Sequence, residues 1–215
     1  MELRFDDDAD RDDPAVRAFV ARIPEVRALH AALGLTDEES WATLEDLPRH
    51  ARLDRICHGS PGLRDTHWIE LVWSGMLAAL GRLQFESSRE DWLGVHIPEA
   101  GPLTPAACDA SFARAREIFP AYRTAVCASW LLDPQLADVL PHDSNIVRFQ
   151  RRFELMTEGE DANGDVLRFV FHTYDPDLDK LEPKTTLERA LVARMRAGGD
   201  WRAPRGVTSL ACPPR

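Results

Sequence analysis

His96, Glu86 and Ser129 are the residues of this chain whose types and placement suit proton-transfer chemistry. Leu93, Val95 and Ile97 alternate with Gly94 and His96, which puts His96 on a strand face opposite the apolar side chains. An imidazole, with an unperturbed pKa near ~6.5, suits a general base, although a strand histidine also serves as a hydrogen-bonded structural residue. Glu86 ends the neighbouring run Leu83–Glu86 and can act as a base through a water, or remain a solvated carboxylate. Ser129 follows an apolar run but lacks the Gly-x-Ser-x-Gly elbow of a hydrolase nucleophile. Cys127 has no neighbouring histidine or cation in sequence to lower its pKa, so a thiolate nucleophile is not expected. His50 and the Cys57–His58 pair lack the further ligand spacing of a metal site, and no metal is expected.

These side chains need elements to hold them. An acidic arm over 1–12 is expected to fray, and Asp13–Pro14 then starts a helix, with aspartate as cap and proline in the first turn. Apolar residues continue at helical spacing to Gly34, and Thr36 with Glu39 forms a capping box for a second helix. The dense apolar residues over 66–80 predict a long buried helix. The period then changes to two over Leu83–Glu86 and 93–97, predicting two strands. Thr104–Pro105 caps and opens a helix with Cys108, Phe112, Ala115 and Phe119 in one stripe. The apolar run 122–132 reads as a strand buried on both faces, and Asp133–Pro134 opens a short helix to Leu140. Alternation predicts strands over 145–156 and 166–173, joined by a hairpin at Asn163–Gly164. On this reading Arg148, Arg151 and Arg152 bring three cations together, either as an anion contact or as a solvated strand face near Glu154. Thr185 and Glu188 box the last helix, which Gly198–Gly199 stops, and 204–215 is expected to be a mobile tail.

Composition bounds the function. Among 215 residues, 36 acidic against 26 basic side chains leave a formal charge of −10, which disfavours nucleic acid as a partner. No apolar run approaches the roughly 20 residues needed to span a bilayer, and the acidic start is unlike a secretory signal. A cytoplasmic protein with reduced cysteines and no membrane partner is expected. Oligomeric state is open.

Four segments carry a family resemblance: Leu80–Glu86 (LGRLQFE), Val95–Pro98 running into Gly101–Pro105, Ser129–Pro134 (SWLLDP) and Ser144–Phe149 (SNIVRF). In this order they resemble GNAT-like acyltransferase domain proteins, a bacterial subfamily with a helical N-terminal domain and a GNAT-like C-terminal domain. The resemblance spans about 80 to 150 and extends through the predicted hairpin and last helix to Trp201. It implies an α+β fold, with a mixed sheet flanked by helices behind a small helical segment. The expected division is 1–64 for that segment and 65–215 for the GNAT-like domain.

The resemblance also implies an acyl-CoA cosubstrate, acetyl-CoA in the simplest case, and a small-molecule or peptide amine as acceptor. Two central parallel strands would splay to admit the pantetheine arm, and the diphosphate would meet the N-terminus of the following helix, where unpaired N–H groups favour an anion. Carried onto this chain, those positions place Ile97, Thr104, Ala106, Ala107, Trp130 and Arg148 at the cofactor. His96 or Glu86 would deprotonate the amine, and Ser129 would hold the thioester carbonyl or protonate the thiolate. Tyr122 starts a strand, unlike the tyrosine acid of many relatives. The usual Gln/Arg-x-x-Gly-x-Gly/Ala loop is absent: Gly101–Pro105 has one glycine and two prolines, so fewer N–H groups can converge on phosphate. A non-catalytic binding module that has lost acyl-CoA turnover is the alternative from another class.

Overall fold

The computed structural model describes residues 2–174 and 176–210. Six helices come first. α1 (Asp8–Arg11) and α2 (Pro14–Ala21) are capped by Asp7 and Asp13, whose carboxylates accept backbone N–H groups. α3 (Ile23–Leu33) ends at Gly34 in the left-handed conformation, φ 90°. α4 (Asp37–Leu44) opens with the expected Thr36–Glu39 capping box, and α5 (Asp46–His58) and α6 (Thr66–Trp73) follow. Val16, Phe19, Leu44, Leu47, Ile69, Val72 and Trp73 bury their side chains together in this helical part. The acidic start is not a frayed arm, because Asp10 is 1% exposed and accepts two hydrogen bonds from the Arg55 guanidinium at 2.9 and 3.0 Å.

The sheet follows. β1 (Leu77–Leu80), β2 (Leu83–Glu86) and β3 (Leu93–His96) form an antiparallel meander. α7 (Pro105–Ile118) connects β3 to β4 (Thr124–Ala128), which runs parallel to β3. α8 (Leu136–Val139) and α9 (Asn145–Gln150) precede β5 (Glu154–Leu155) and β6 (Glu160–Asp161). α10 (Asn163–Phe171), α11 (Thr186–Arg196), β7 (Arg202–Ala203) and β8 (Arg205–Ser209) complete the described chain. The main sheet has the order β1-β2-β3-β4-β8-β5, while β6 pairs with β7 in a two-stranded ladder. α7 packs its predicted stripe on the sheet, where Phe112 meets Phe85 edge-on at 5.6 Å. The fold is α+β, as the resemblance implied.

Five local expectations are corrected. The apolar run 66–80 is not one helix: Gly75, at φ 76°, turns the chain after α6, and the remainder is dense because every residue of β1 is buried. Residues 145–150 are helical, since the Ser144 hydroxyl caps the Val147 N–H at 3.3 Å; Arg148 is therefore exposed on a helix and not on a strand face. Asn163–Gly164 is the first turn of α10 and not a hairpin, because Val166 and Val170 share one face at helical spacing. Within 204–215, residues 205–209 are a strand between β4 and β5, and 211–215, with Cys212, lie outside the described residues. The run 122–132 yields the short strand β4 and a 3-10 turn at Trp130–Leu132, with Ala125 and Cys127 buried and Ala128 exposed.

Candidate active site

β3 and β4 pair only at Leu93 with Ala125 and Gly94 with Val126. Pro98 has no N–H with which to extend the ladder. On its far side β4 stays paired with β8 as far as Ala128 with Arg205, so the opening falls between β3 and β4. Val95–Pro98 and Cys127–Leu131 part there and line a cavity of about 590 Å³. Its remaining wall comes from α5 and Trp68, from the β1–β2 turn at Arg82, and from Ile146, Phe169, Val170 and Leu187 of the C-terminal helices.

His96 lies on this wall, and its Nε2 is 2.7 Å from Oε2 of Glu86, which stands behind it on β2. The hydrogen bond from His96 holds the Glu86 carboxyl below the ordinary carboxylate value, against the opposing effect of burial, with help from Ser88. An ionised Glu86 accepts the Nε2–H, which leaves the lone pair on Nδ1; that atom has no protein partner among the described residues. Gly94 makes the pairing possible. A Cβ there would come within 3.0 Å of Glu86 Cβ and 3.4 Å of His96 Nε2. The Trp68 ring meets His96 edge-on at 4.8 Å and lies parallel to His50 at 6.1 Å.

Behind Trp68 is a buried carboxylate. Asp46, 2% exposed, accepts from Trp68 Nε1 at 3.0 Å and from Gln84 Nε2 at 2.8 Å through Oδ2, while Oδ1 pairs with Arg49. α5 and β2 are thus tied through one side chain beside the cavity. Arg168 of α10, next to Phe169 of the cavity wall, reaches Asp65 at 3.2 Å and Asp54 at 3.7 Å, which fastens α10 to the N-terminal helices.

Among the residues expected from sequence, His96, Ile97, Ser129 and Trp130 line the cavity, with Glu86 attached to His96. The Ser129 hydroxyl accepts the Leu131 N–H at 3.1 Å, so its own proton is available for donation. Cys127 also lies on the wall, but burial pushes its thiol up to about 12 and keeps it protonated. Thr104, Ala106, Ala107 and Arg148 are not on the wall. Thr104 caps α7 by accepting the Ala107 N–H at 3.3 Å, and Pro105 has no N–H to offer. Sequence reasoning missed Asp46, Arg49, Trp68, Arg82 and Phe169. Of these, Arg82 alone stood in a segment that carries the family resemblance, LGRLQFE, while Trp68 and Phe169 stood in stretches read only as structural elements. Among the described residues no cluster of histidine, cysteine or carboxylate groups could hold a metal, and no helix is long and apolar enough to cross a membrane.

The GNAT-like C-terminal domain family matches residues 77–208, and the N-acyltransferase N-terminal domain family matches residues 4–75. No curated protein matches the chain. A solved acyltransferase in complex with decanoyl-CoA and teicoplanin is 36% identical with a TM-score of 0.84, over 91% of this chain and 66% of that one. A second, in complex with CoA and 10C-teicoplanin, is 37% identical with a TM-score of 0.83, over the same shares. A third, in complex with decanoyl-CoA, is 34% identical with a TM-score of 0.85, over 93% of this chain. The chain thus spans just under two thirds of the length of these solved structures. Since the C-terminal match covers most of the chain and holds both strands of the opening, this chain belongs to the GNAT-like acyltransferases, with an N-acyltransferase N-terminal domain before the GNAT-like C-terminal domain.

Proposed function

We propose that this chain catalyses acyl-CoA-dependent transfer of an acyl group to an amine of a small molecule, with the reaction centred at His96. The observation that carries this reading is the opening between β3 and β4, with a histidine–carboxylate pair on its rim. An extended thioester arm entering there finds backbone groups of the parted strands that no longer bond each other. The apolar wall of Trp130, Leu131, Ile146, Phe169, Val170 and Leu187 suits a chain longer than acetyl, at about 0.8 kcal/mol for each buried methylene. The decanoyl-CoA bound by the similar acyltransferases supports the same substrate class, and the teicoplanin in one complex supports a small-molecule acceptor.

The reaction follows from the hydrogen bonding. The acceptor ammonium loses one proton to solvent, and His96 Nδ1 takes the second as the amine attacks, while Glu86 holds the ring and stabilises the imidazolium. The freed nitrogen lone pair forms a bond to the thioester carbon, and the carbonyl electrons move onto oxygen. Collapse of that adduct breaks the C–S bond, and the leaving thiolate takes a proton from the imidazolium, either directly or through Ser129, whose hydroxyl the imidazolium proton then restores. Amide and free CoA thiol result. Calorimetric titration with decanoyl-CoA, followed by a free-thiol assay with amine acceptors, tests this reading. Binding in the micromolar range and thiol release that depends on acceptor are expected; no heat at millimolar decanoyl-CoA would overturn it.

A further inference from the structure

One end of the cavity carries positive charge that the protein does not neutralise. Arg82 sits on the β1–β2 turn and donates from Nη1 to the Pro98 carbonyl at 3.0 Å. Its Nε is buried without a partner, and no carboxylate lies within ion-pair distance of it among the described residues. Burial depresses the affinity of this guanidinium for its proton, and repulsion from Arg49 adds to the effect. Arg49, on α5, lines the same cavity. Its partner is Asp46, whose other oxygen is already taken by Trp68 and Gln84.

The other carboxylates of the wall are engaged elsewhere or too far away to help. Asp65 pairs with Arg168 at 3.2 Å, and Glu99 meets His172 at 3.2 Å. The Asp165 carboxyl is raised chiefly by burial, with Arg168 opposing, and it forms no ion pair with Arg49 or Arg82 among the described residues. Asp46 pairs with Arg49 alone, so the Arg82 charge is left uncompensated in a partly dry space, which is costly unless an anion completes the group. The planar fork of arginine matches the two oxygens of a phosphate or carboxylate. The backbone of Arg82 is fixed against the middle of α7, where its N–H donates to Ser111 Oγ at 2.9 Å, while its guanidinium reaches back to Pro98 at the end of β3. Gly101 and Leu103 of the loop before α7 line the same cavity. That helix end supplies little itself, because Pro105 lacks an N–H and the Ala107 N–H is spent on Thr104.

We propose that Arg49 and Arg82 form an oxyanion subsite of the cavity that takes a phosphate or carboxylate group of a bound ligand. Two sources have this chemistry: the phosphates of a CoA ester and an acidic group on the acceptor. The subsite stands on the arginine geometry alone; only the identity of its occupant rests on the acyl-CoA reading.

Inorganic diphosphate, titrated calorimetrically at low ionic strength into the full chain, tests the subsite. The unaltered protein should bind it saturably, Arg82→Gln should weaken binding about tenfold or more, and Arg82→Lys should fall between them, because it keeps the charge and loses the fork. Arg17→Gln, on the exposed side of α2, should change nothing. Thermal melting establishes that each variant is folded, and should Arg82→Gln melt early, Arg82→Lys decides. Decanoyl-CoA and S-decanoyl-pantetheine separate the two sources. Should CoA phosphate be the occupant, Arg82→Gln weakens the CoA ester and spares the pantetheine ester. Should the occupant be the acceptor, both esters bind as before while diphosphate binding still falls. Absence of diphosphate binding, or equal binding by the unaltered and substituted proteins, overturns the proposal. Failure of both thioesters to bind counts against the transferase reading and leaves the diphosphate result to stand on its own.

Discussion

His96 and Glu86 meet at 2.7 Å beside a residue that has no side chain. Gly94 pairs directly with Glu86 across β2 and β3, so the carboxylate leans over its bare Cα to reach the imidazole two residues along. Gly94 has no left-handed backbone angle, so the requirement is for space alone. Gly94→Ala should therefore lower kcat about 10- to 100-fold with acyl-CoA affinity nearly intact, since small displacements of a base carry costs of this size. Steady-state kinetics and calorimetry on the same preparation check the split.

Glu86→Gln and His96→Ala should each reduce kcat by roughly 10²- to 10⁴-fold, with little change in acyl-CoA affinity. The double variant should lose scarcely more than His96→Ala alone, because the pair acts as a unit. The acid limb of the pH–rate profile should disappear in His96→Ala. Additive losses, or a profile unchanged in His96→Ala, would remove His96 from the role of base.

Stability should fall as pH drops from about 6.5 towards 4. His30, fully buried with its Nδ1 3.0 Å from Ser40 Oγ, is depressed to about 4, by burial first and the Arg27 charge second. His50 is lowered too, chiefly by burial. A lowered histidine is neutral in the folded chain and protonates more readily when unfolded, so the contribution is complete above pH 6.5 and lost on acidification. For His30 alone the loss is roughly 3 kcal/mol by pH 4, of which about 2 kcal/mol falls between pH 7 and 5. Urea unfolding at pH 7 and 5 measures it, and His30→Gln should flatten part of the dependence.

Arg168→Met should destabilise the protein by about 3 kcal/mol, because it strands Asp54, 1% exposed, without its cation. It also releases the tie that holds α10 against the N-terminal helices, so the apolar wall carrying Phe169 and Val170 should loosen. A lower melting temperature, with weaker binding of decanoyl-CoA than of acetyl-CoA relative to the unaltered protein, is the expected pairing.

Ile146→Trp should fill part of the apolar wall and shift preference towards shorter acyl chains. Relative kcat/KM for decanoyl-CoA and acetyl-CoA should move by about tenfold or more. An unchanged ratio would place the acyl chain elsewhere.

The elements with local chemistry of their own could be read directly. Thr36–Glu39, Thr104–Pro105 and Thr185–Glu188 cap helices where their side chains say they should, and 93–97 alternates as a strand. Residues 166–171 deceived because Leu167, Phe169 and Phe171 alternate while Val166 and Val170 keep helical spacing, and only tertiary packing chooses between the periods. β8 was missed since its partners lie far back in the chain. The same division holds in the cavity. His96, Ile97, Ser129 and Trp130 sit where strands end and were legible, whereas Asp46, Arg49 and Trp68 become neighbours of the site only when α5 and α6 dock beside β2. Nothing in their local sequence announces that docking.

The placement of β8 between β4 and β5 has a consequence for biosynthesis. β4 borders the opening, yet its second partner is the segment 205–209, which leaves the ribosome well after 124–128. A nascent chain with the six N-terminal helices, β1–β3 and β4 already outside the exit tunnel would hold a strand edge unpaired where the cavity wall should be, an invitation to pairing with other chains. Ligand competence should therefore appear late and abruptly during synthesis, when one short strand slots into the middle of the sheet.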